Sequence, residues 1–537
     1  MKNHQNLSIG VKKSQKNFFC QENLKWFLLI FITIIILLIT IFININNTKD
    51  DATIITGTIE TDNGNQKIDW GRYPTHNITL SESLTITEAG TYHLIGELED
   101  GLITVNIENT VARLILDNVK IKNSSGPAIL CSAGEDLVIE LVGENTLEDG
   151  VLYAADYAED VTGVVYSKAD LSFSGNGNLN ITANHQDAII SKDDLKFSSG
   201  NYIINAIDDG IRGKDSVYIV AGNFDIKSGG DAIKSTNETD AKKGFIVIEN
   251  GKFNIDSSMK GIAAVNSILI YNGDFNILSS DDSIHSNNYV GIINGSLNLN
   301  SGDDGIHADR ELIIDGGNIV VEKAYEGLES QAITINNGAI SLYTSDDGIN
   351  AGGGADLSSN NKMDIFSADE NCVININGGN LYIDSSGDGI DSNGFLYFNG
   401  GTTVIDGPTN NGNGALDAGL GITTNGGEVI AVGASGMAED LGSSSSIYSI
   451  SSFFQNTQKA GTKIEIKDSY NNILISHISA KTFSHLAAGS DSFIPGMSYK
   501  IFIDDKEYTS FSIKDTVTII GNVRSNQMMP QAQQNHR

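Results

Sequence analysis

Residues 301–330 read "SGDDGIHADRELIIDGGNIVVEKAYEGLES". Two acids stand before a glycine and an aliphatic residue (Asp303, Asp304, Gly305, Ile306), and 22 residues later the phrase nearly returns as Tyr325, Glu326, Gly327, Leu328. The same acid, small residue, aliphatic residue recurs at Asp187, Asp209, Asp231, Asp282, Asp304, Glu326, Asp347 and Asp388, with Lys260 and Gly414 holding the acid's place in the same frame. Successive first positions differ by 22, 22, 29, 22, 22, 22, 21, 41 and 26. A period of 22 interrupted by insertions of 7, about 19 and 4 marks a stacked repeat whose loops bulge from its surface.

Within each period, stretches such as "LIIDGGNIVVEKAYEGLES" and "VYIVAGNFDIKSGGDAIKS" alternate aliphatic and polar residues around a Gly-Gly or Gly-Asn turn, and no helical periodicity is sustained. Three short strands per period cannot bury a face alone, so each coil must stack on the next in parallel, at roughly 4.8 Å spacing. Parallel crossovers are right-handed. The predicted fold is an all-β, right-handed parallel β-helix of about 22-residue coils, with a carboxy-terminal β cap or small β domain, preceded by one transmembrane helix. Ile189, Ile211, Ile233, Ile262, Ile284, Ile306, Leu328, Ile349, Ile390 and Leu416 form an inward ladder. Two residues on, a second inward ladder is mostly small, from Gly213 and Ser235 to Ser392 and Ala418. The L-x-x-L-x-L frame of leucine-rich repeats and the nine-residue frame of calcium-binding β-rolls are both missing.

The chain has 537 residues, 34 basic against 67 acidic groups, a net charge of -33 and 57 glycines. That balance argues against a nucleic-acid partner. Residues 26–43, "WFLLIFITIIILLITIFI", are an apolar run preceded by Lys12, Lys13, Lys16 and Lys25. A run of that length predicts a membrane anchor over 26–45, with the first 25 residues cytoplasmic and the rest at the cell surface. A cleaved signal is the competing reading, although no small-x-small site follows the run. Cys20, Cys131 and Cys372 are too dispersed for a disulfide framework. The expected organisation is a tether over 46–67, an amino-terminal β region over 68–150, regular coils over 151–436, a carboxy-terminal β region over 437–522 and a disordered tail over 523–537. A monomer is expected.

Several phrases together carry a family resemblance: "TYHLIGELEDGLITVNI", "GPAIL", "SKDDLKFSSGNYIINAIDDGIRGKDSVYI", "DDGIHADRELIIDGG", "YEGLES" and "GPTNNGNGALD". The chain resembles the bacterial extracellular proteins classed as carbohydrate-binding domain-containing proteins, which look like pectate lyases in fold. The likeness runs from about Ile78 to about Ile503. It implies a calcium-dependent β-helix that binds polysaccharide, with acidic, pectin-like polymers and cellulose the leading ligands, and no established catalytic activity.

The acids point to a cation on their own account. Stacking sets Asp281 and Asp282 one rung below Asp303 and Asp304, then Glu326, then Asp346 and Asp347. Carboxylates about 5 Å apart repel by roughly 1 kcal/mol in water and by several times more at partial burial. Hard oxygen donors on glycine-containing corners suit calcium, and no Cys/His grouping along the chain suggests zinc. The candidate calcium ligands are Asp208, Asp209, Asp281, Asp282, Asp303, Asp304, Glu326, Asp346, Asp347, Asp388 and Asp391. Capping of turns is the alternative role for each acid taken singly.

The residue after each ladder aliphatic faces outward and reads Arg212, Lys234, Ala263, His285, His307, Glu329, Asn350, Asp391, Asp417. A solvated polar stripe is the plain reading of such a wall. Its functional reading makes Arg212, Lys234, His285, His307 and nearby Arg310 a ligand-binding surface, where guanidinium pairs with a uronate. Three functions compete: a non-catalytic carbohydrate-binding protein, a polysaccharide lyase with an Arg or Lys base, and a structural adhesin of the cell envelope.

Overall fold

The computed structural model of the chain describes residues 68–352 and 368–521. Strands form where apolar residues alternate. In Asn223–Ser228 the residues Phe224, Ile226 and Ser228 are buried and their neighbours exposed. Lys252–Ser257 repeats the pattern and pairs with it in parallel, Phe224 opposite Phe253 and Ile226 opposite Ile255. One coil comprises a long strand, a very short one and a third of middling length, for example Asn223–Ser228, Ile233–Ser235 and Phe245–Ile248. Such coils stack in parallel from Thr75–Leu80 to Glu428–Gly433, a β-solenoid.

The aliphatic ladder is continuous in the register. Ile189 pairs with Ile211, and the series runs through Ile233, Ile262, Ile284, Ile306, Leu328, Ile349 and Ile390 to Leu416. None of the ten is more than 1% exposed. The small ladder beside it is buried too. A third interior file is aromatic: Tyr202, Phe224, Phe253 and Phe275 stack with centroids 4.6 to 5.1 Å apart and nearly parallel planes.

The insertions leave this interior undisturbed. Residues 236–244 lie between Ser235 and Phe245, and Phe245 still pairs with Ser216. The long insertion falls between Ala351 and Val373, where residues 353–367 lie outside the described residues. The short one falls between Asp406 and Leu416.

Parallel stacking ends at Glu428–Gly433, which Phe483–Ser490 meets in antiparallel register. Ser449–Gln458 pairs antiparallel with Phe483–Ser490 and parallel with Val517–Ile520. A separate four-stranded antiparallel sheet, in the order Ile473–Ile478, Lys463–Asp468, Ser498–Ile503, Lys506–Ser512, packs against this end through Ile430, Ile450, Phe454, Ile464, Ile466, Phe483 and Ile501. A polar staple joins cap and coils. Fully buried Asp406 accepts hydrogen bonds from Tyr382 Oη (3.0 Å), Ser479 Oγ (2.9 Å) and the ring of His477 through Nε2 (2.9 Å).

The membrane helix expected at 26–45 requires correction. Among the described residues no helix is long and apolar enough to cross a membrane. The single 3-10 turn Trp70–Arg72 is the only helix described, because apolar residues here alternate along strands instead of running together. Residues 26–45, with the tether and the tail at 523–537, lie outside the described residues. The described residues form an all-β solenoid with its cap, and no helix among them anchors the chain in a membrane.

Candidate functional site

The repeated acid, small residue, aliphatic phrase sits at the corner between the long and the short strand. At this corner the backbone N–H of the acid position needs an acceptor, and the carboxylate of the preceding coil supplies it. Asp187 Oδ1 accepts from the nitrogen of Asp209 (3.1 Å), Asp209 from Asp231 (3.0 Å), and Asp231 from Lys260 (2.9 Å). Asp282 likewise accepts from Asp304 (3.0 Å), Asp304 from Glu326 (3.2 Å), and Asp347 from Asp388 (2.6 Å). Asp388 closes the series on Gly414. Where the preceding coil has Lys260 and no carboxylate, the N–H of Asp282 turns to Asp281 Oδ1 instead (3.0 Å). Crowding keeps the residue between acid and aliphatic small: a Cβ on Gly305 would lie 2.6 Å from the carbonyl oxygen of Gly327, and elsewhere the place is held by Ala188, Ala232, Ser283 and Ala415.

Capping occupies one oxygen of each of these aspartates and leaves the other facing the wall. In the first half of the wall basic groups meet it. Arg212 Nη2 lies 2.8 Å from Asp187 Oδ2 and its Nη1 3.8 Å from Asp209 Oδ2. Lys234 Nζ lies 2.7 Å from Asp231 Oδ2, and Lys260 Nζ meets both Asp282 and Asp281. These carboxylates hold Lys234 and Lys260 above the ordinary lysine range although burial works against the charge. Two imidazoles follow. His285 Nδ1 is 2.8 Å from Asp282 Oδ2, and His307 Nδ1 is 3.2 Å from Asp304 Oδ2 and 3.1 Å from Glu329 Oε2. Burial depresses His307, but Asp304, Asp309 and Glu329 outweigh it and push it up to about 12.

The second half of the wall has carboxylates without such partners. Among the described residues, no lysine or arginine ion pair reaches Asp346, Asp347, Asp388 or Asp391. Burial first, and then neighbouring acids, raise Glu326 to about 10, Asp347 to about 8, Asp391 to about 7 and Asp388 to about 6. Glu439, beside Asp417, is raised to about 8 for the same reasons. In their midst Asn350 donates through Nδ2 to both oxygens of Glu326 (3.0 and 2.9 Å). Its Oδ1 is a buried acceptor with no hydrogen-bond partner among the described residues. Clustered carboxylates and an orphaned amide oxygen form a donor set of hard oxygens, which fits calcium.

The paired acids divide their work. Asp209, Asp282 and Asp304 are buried at the corner, while Asp208 and Asp303 are exposed and Asp281 is half-buried. Asp187, Asp208 and Asp209 form one set with oxygens within 4.8 Å of one another, and Asp281, Asp282 and Asp303 form another. Arg310 stands apart from Arg212 and Lys234, exposed on a bulge between Ala308 and Glu311. Its coil is three beyond that of Lys234.

Three features escape a reading along the chain. Asp170, Asp193 and Asp194 gather into a further acidic set, where burial and neighbouring acids raise Asp170 to about 7. The wall extends below Arg212 through Ile190, Tyr166 and Leu130, which Tyr153, Tyr157 and Val161 of the intervening loop cover. Most consequentially, no Cys/His grouping is visible along the chain, yet the fold gathers two histidines among acids. Coil stacking brings His285 and His307 together with Asp282, Asp304 and Glu329, although the two histidines are 22 residues apart. The usable signal was the shared period itself.

Fold and site together define a β-solenoid that presents one continuous, charge-graded wall with laddered carboxylates behind it. A profile described as "Carbohydrate-binding domain-containing protein" matches residues 81–348 and 277–371, more than half of the chain. The chain belongs to that family. A carbohydrate-binding domain-containing protein of Acetivibrio thermocellus is 34% identical over 135 residues, which is 24% of this chain and 47% of the relative. The match thus spans about half the length of that curated relative. A solved structure titled as the polysaccharide lyase-like protein from C. thermocellum, a gadolinium derivative, is 28% identical. It aligns over 45% of this chain and 96% of its own, with a TM-score of 0.37.

Proposed function

We propose that this chain binds polysaccharide without altering it chemically, and that calcium in the acidic half of the wall takes part in the binding. Family membership supports the carbohydrate ligand. The observation that carries the rest is the run of raised carboxylates in successive coils, buried Glu326 with half-buried Asp347, Asp388 and Asp391, beside Asn350, whose Oδ1 has no hydrogen-bond partner among the described residues. When bound there, calcium supplies positive charge and coordination positions that a uronate carboxylate or sugar hydroxyls can share. Glu326, Asp346, Asp347, Asn350, Asp388 and Asp391 would hold it, with Asp208, Asp209, Asp281, Asp282, Asp303 and Asp304 as further oxygen donors at the more basic end.

An acidic, pectin-like polymer is the favoured ligand and cellulose the second. A chain of net charge -33 holds a polyanion only through local cations. Arg212 and Lys234 are engaged by buried acids, so on this reading they present a hydrogen-bonding, charge-balanced surface, whereas His285 and His307, expected to face outward, are buried at 6% and 1% exposure. Exposed Arg310 adds a cation outside the ladder. The same engagement supports a non-catalytic reading, because a guanidinium held by Asp187 and Asp209 is not free to reach a substrate proton.

The test is retention of the protein on polygalacturonate and on cellulose, in calcium and in chelator, with absorbance of unsaturated product monitored throughout. Calcium-dependent retention on polygalacturonate without product is expected. Equal retention in chelator would remove calcium from the reading, and product formation would make the protein a lyase.

A further inference from the structure

The phrase Asp-x-x-His-x-Asn/Asp occurs in two successive coils, as Asp282–Asn287 and Asp304–Asp309. The register places His285 opposite His307 and His307 opposite Glu329, with the two rings 4.8 Å apart. In both coils the far ring nitrogen faces an oxygen two residues on: His285 Nε2 lies 3.1 Å from Asn287 Oδ1, and His307 Nε2 lies 3.4 Å from Asp309 Oδ1. An oxygen acceptor at Nε2 fixes the ring so that Nδ1 faces inward, as outer-shell oxygens do for metal-ligating histidines. Each Nδ1 then looks at the carboxylate three residues before it.

Around His307 the separations suit coordination. Ligands about 2.0–2.1 Å from a tetrahedral ion lie roughly 3.3 Å from each other. His307 Nδ1 is 3.2 Å from Asp304 Oδ2 and 3.1 Å from Glu329 Oε2. Asp282, His285 and His307 form an overlapping set whose donor atoms also lie within 4.8 Å of one another. The upper set differs from the lower in one respect: Asp282 is already met by the ammonium of Lys260, whereas no lysine or arginine ion pair reaches Asp304 or Glu329 among the described residues.

We propose that Asp304, His307 and Glu329, with His285 and Asp282 closing from the coil below, bind a divalent metal ion of the zinc class. Imidazole nitrogen selects a borderline ion over calcium, whose ligands are hard oxygens. The site adjoins the all-oxygen donors around Asn350, since Glu329 pairs with Asn350 in the next coil, and it would claim Asp282 and Asp304 from the further oxygen donors named above. Ion and proton compete for the point between His307 Nδ1 and the two carboxylates, and binding releases the proton.

The test titrates the metal-stripped full chain with Co2+ in excess Ca2+ and follows visible ligand-field absorption. One Co2+ per chain, displaced by Zn2+, is expected. His307→Gln and Glu329→Gln should each weaken binding by roughly tenfold or more, while the double variant Asp347→Asn, Asp388→Asn should keep it. X-ray absorption of the Zn2+-loaded unmodified chain reads imidazole ligation directly and does not depend on any variant folding. Absence of Co2+ binding in calcium, unchanged affinity in both His307→Gln and Glu329→Gln, or an oxygen-only shell would overturn the assignment.

Discussion

Asp231 accepts the backbone N–H of Lys260, one coil further along, on Oδ1 at 2.9 Å, while its Oδ2 lies 2.7 Å from Lys234 Nζ. Cap and ion pair therefore separate by substitution. Asp231→Asn keeps an oxygen for the N–H and loses the charge, and is expected to cost less than about 1 kcal/mol. Asp231→Ala orphans the N–H and is expected to cost about 1–3 kcal/mol. Urea unfolding of both variants measures the difference, and equal losses would refute the capping role.

The acidic half of the wall sets a pH dependence. Asp388, Asp391, Asp347 and Glu326 are raised to about 6, 7, 8 and 10 in the folded chain, against ordinary carboxylate values near 4. The folded state then holds protons that the unfolded state has released, so stability falls as pH rises between those limits. His307, raised to about 12, works in the same sense above its ordinary value near 6.5. In chelator, the melting temperature should be higher at about pH 5 than at about pH 8. A flat profile would show that the carboxylates are not strained.

Calcium should relieve that strain and stabilise the protein by mass action, by about 2.7 kcal/mol at a hundredfold excess over Kd. Replacing Asp347 and Asp388 together with Asn keeps both side-chain oxygens that cap the next coil. That variant should lose most of the calcium effect and melt higher than the unmodified chain in chelator. Differential scanning calorimetry with and without calcium checks both signs.

Neighbouring residues on one strand offer a test of the strand phase. Ile203 is 48% exposed and Ile204 only 1%. Ile203→Lys should shift stability by no more than about 0.5 kcal/mol. Ile204→Lys places an ammonium in the stacked interior and should cost several kcal/mol. Equal tolerance, read by circular dichroism melts, would contradict the inward and outward assignment.

The staple at Asp406 ties the cap to the last coils through Tyr382, His477 and Ser479. Asp406→Ala orphans several buried donors and should cost about 3 kcal/mol or more. The loss should appear first in the cap, as early hydrogen exchange in Lys463–Asp468 while Ile306 and its ladder stay protected. Simultaneous exchange would mean that cap and coils unfold as one.

Periodicity made the solenoid legible, because the interior is a repeating constraint: Ile306 can be inward only if Ile284 and Leu328 are. The stack of Phe224, Phe253 and Phe275 follows the same period and was open to the same reading. The direction of a carboxylate oxygen was not. Sequence places Asp304 at a corner but does not say that Oδ1 turns to Glu326 and Oδ2 to His307. Nor does it show that Arg212 and Lys234 are held by acids of their own and neighbouring coils. The His285 and His307 cluster was hidden for another reason, since metal-binding patterns are sought at short spacing and these ligands meet one whole coil apart.

A column of identical rungs has no inherent reason to stop, and its final rung is a template on which another molecule could begin. In this chain Phe483–Ser490 crosses Glu428–Gly433 in the opposite direction. The reversal answers the final row of amides and carbonyls with strands that cannot themselves be continued in register. The cap therefore covers the last parallel edge, and a chain shortened to end at that edge is expected to pair with other molecules through it.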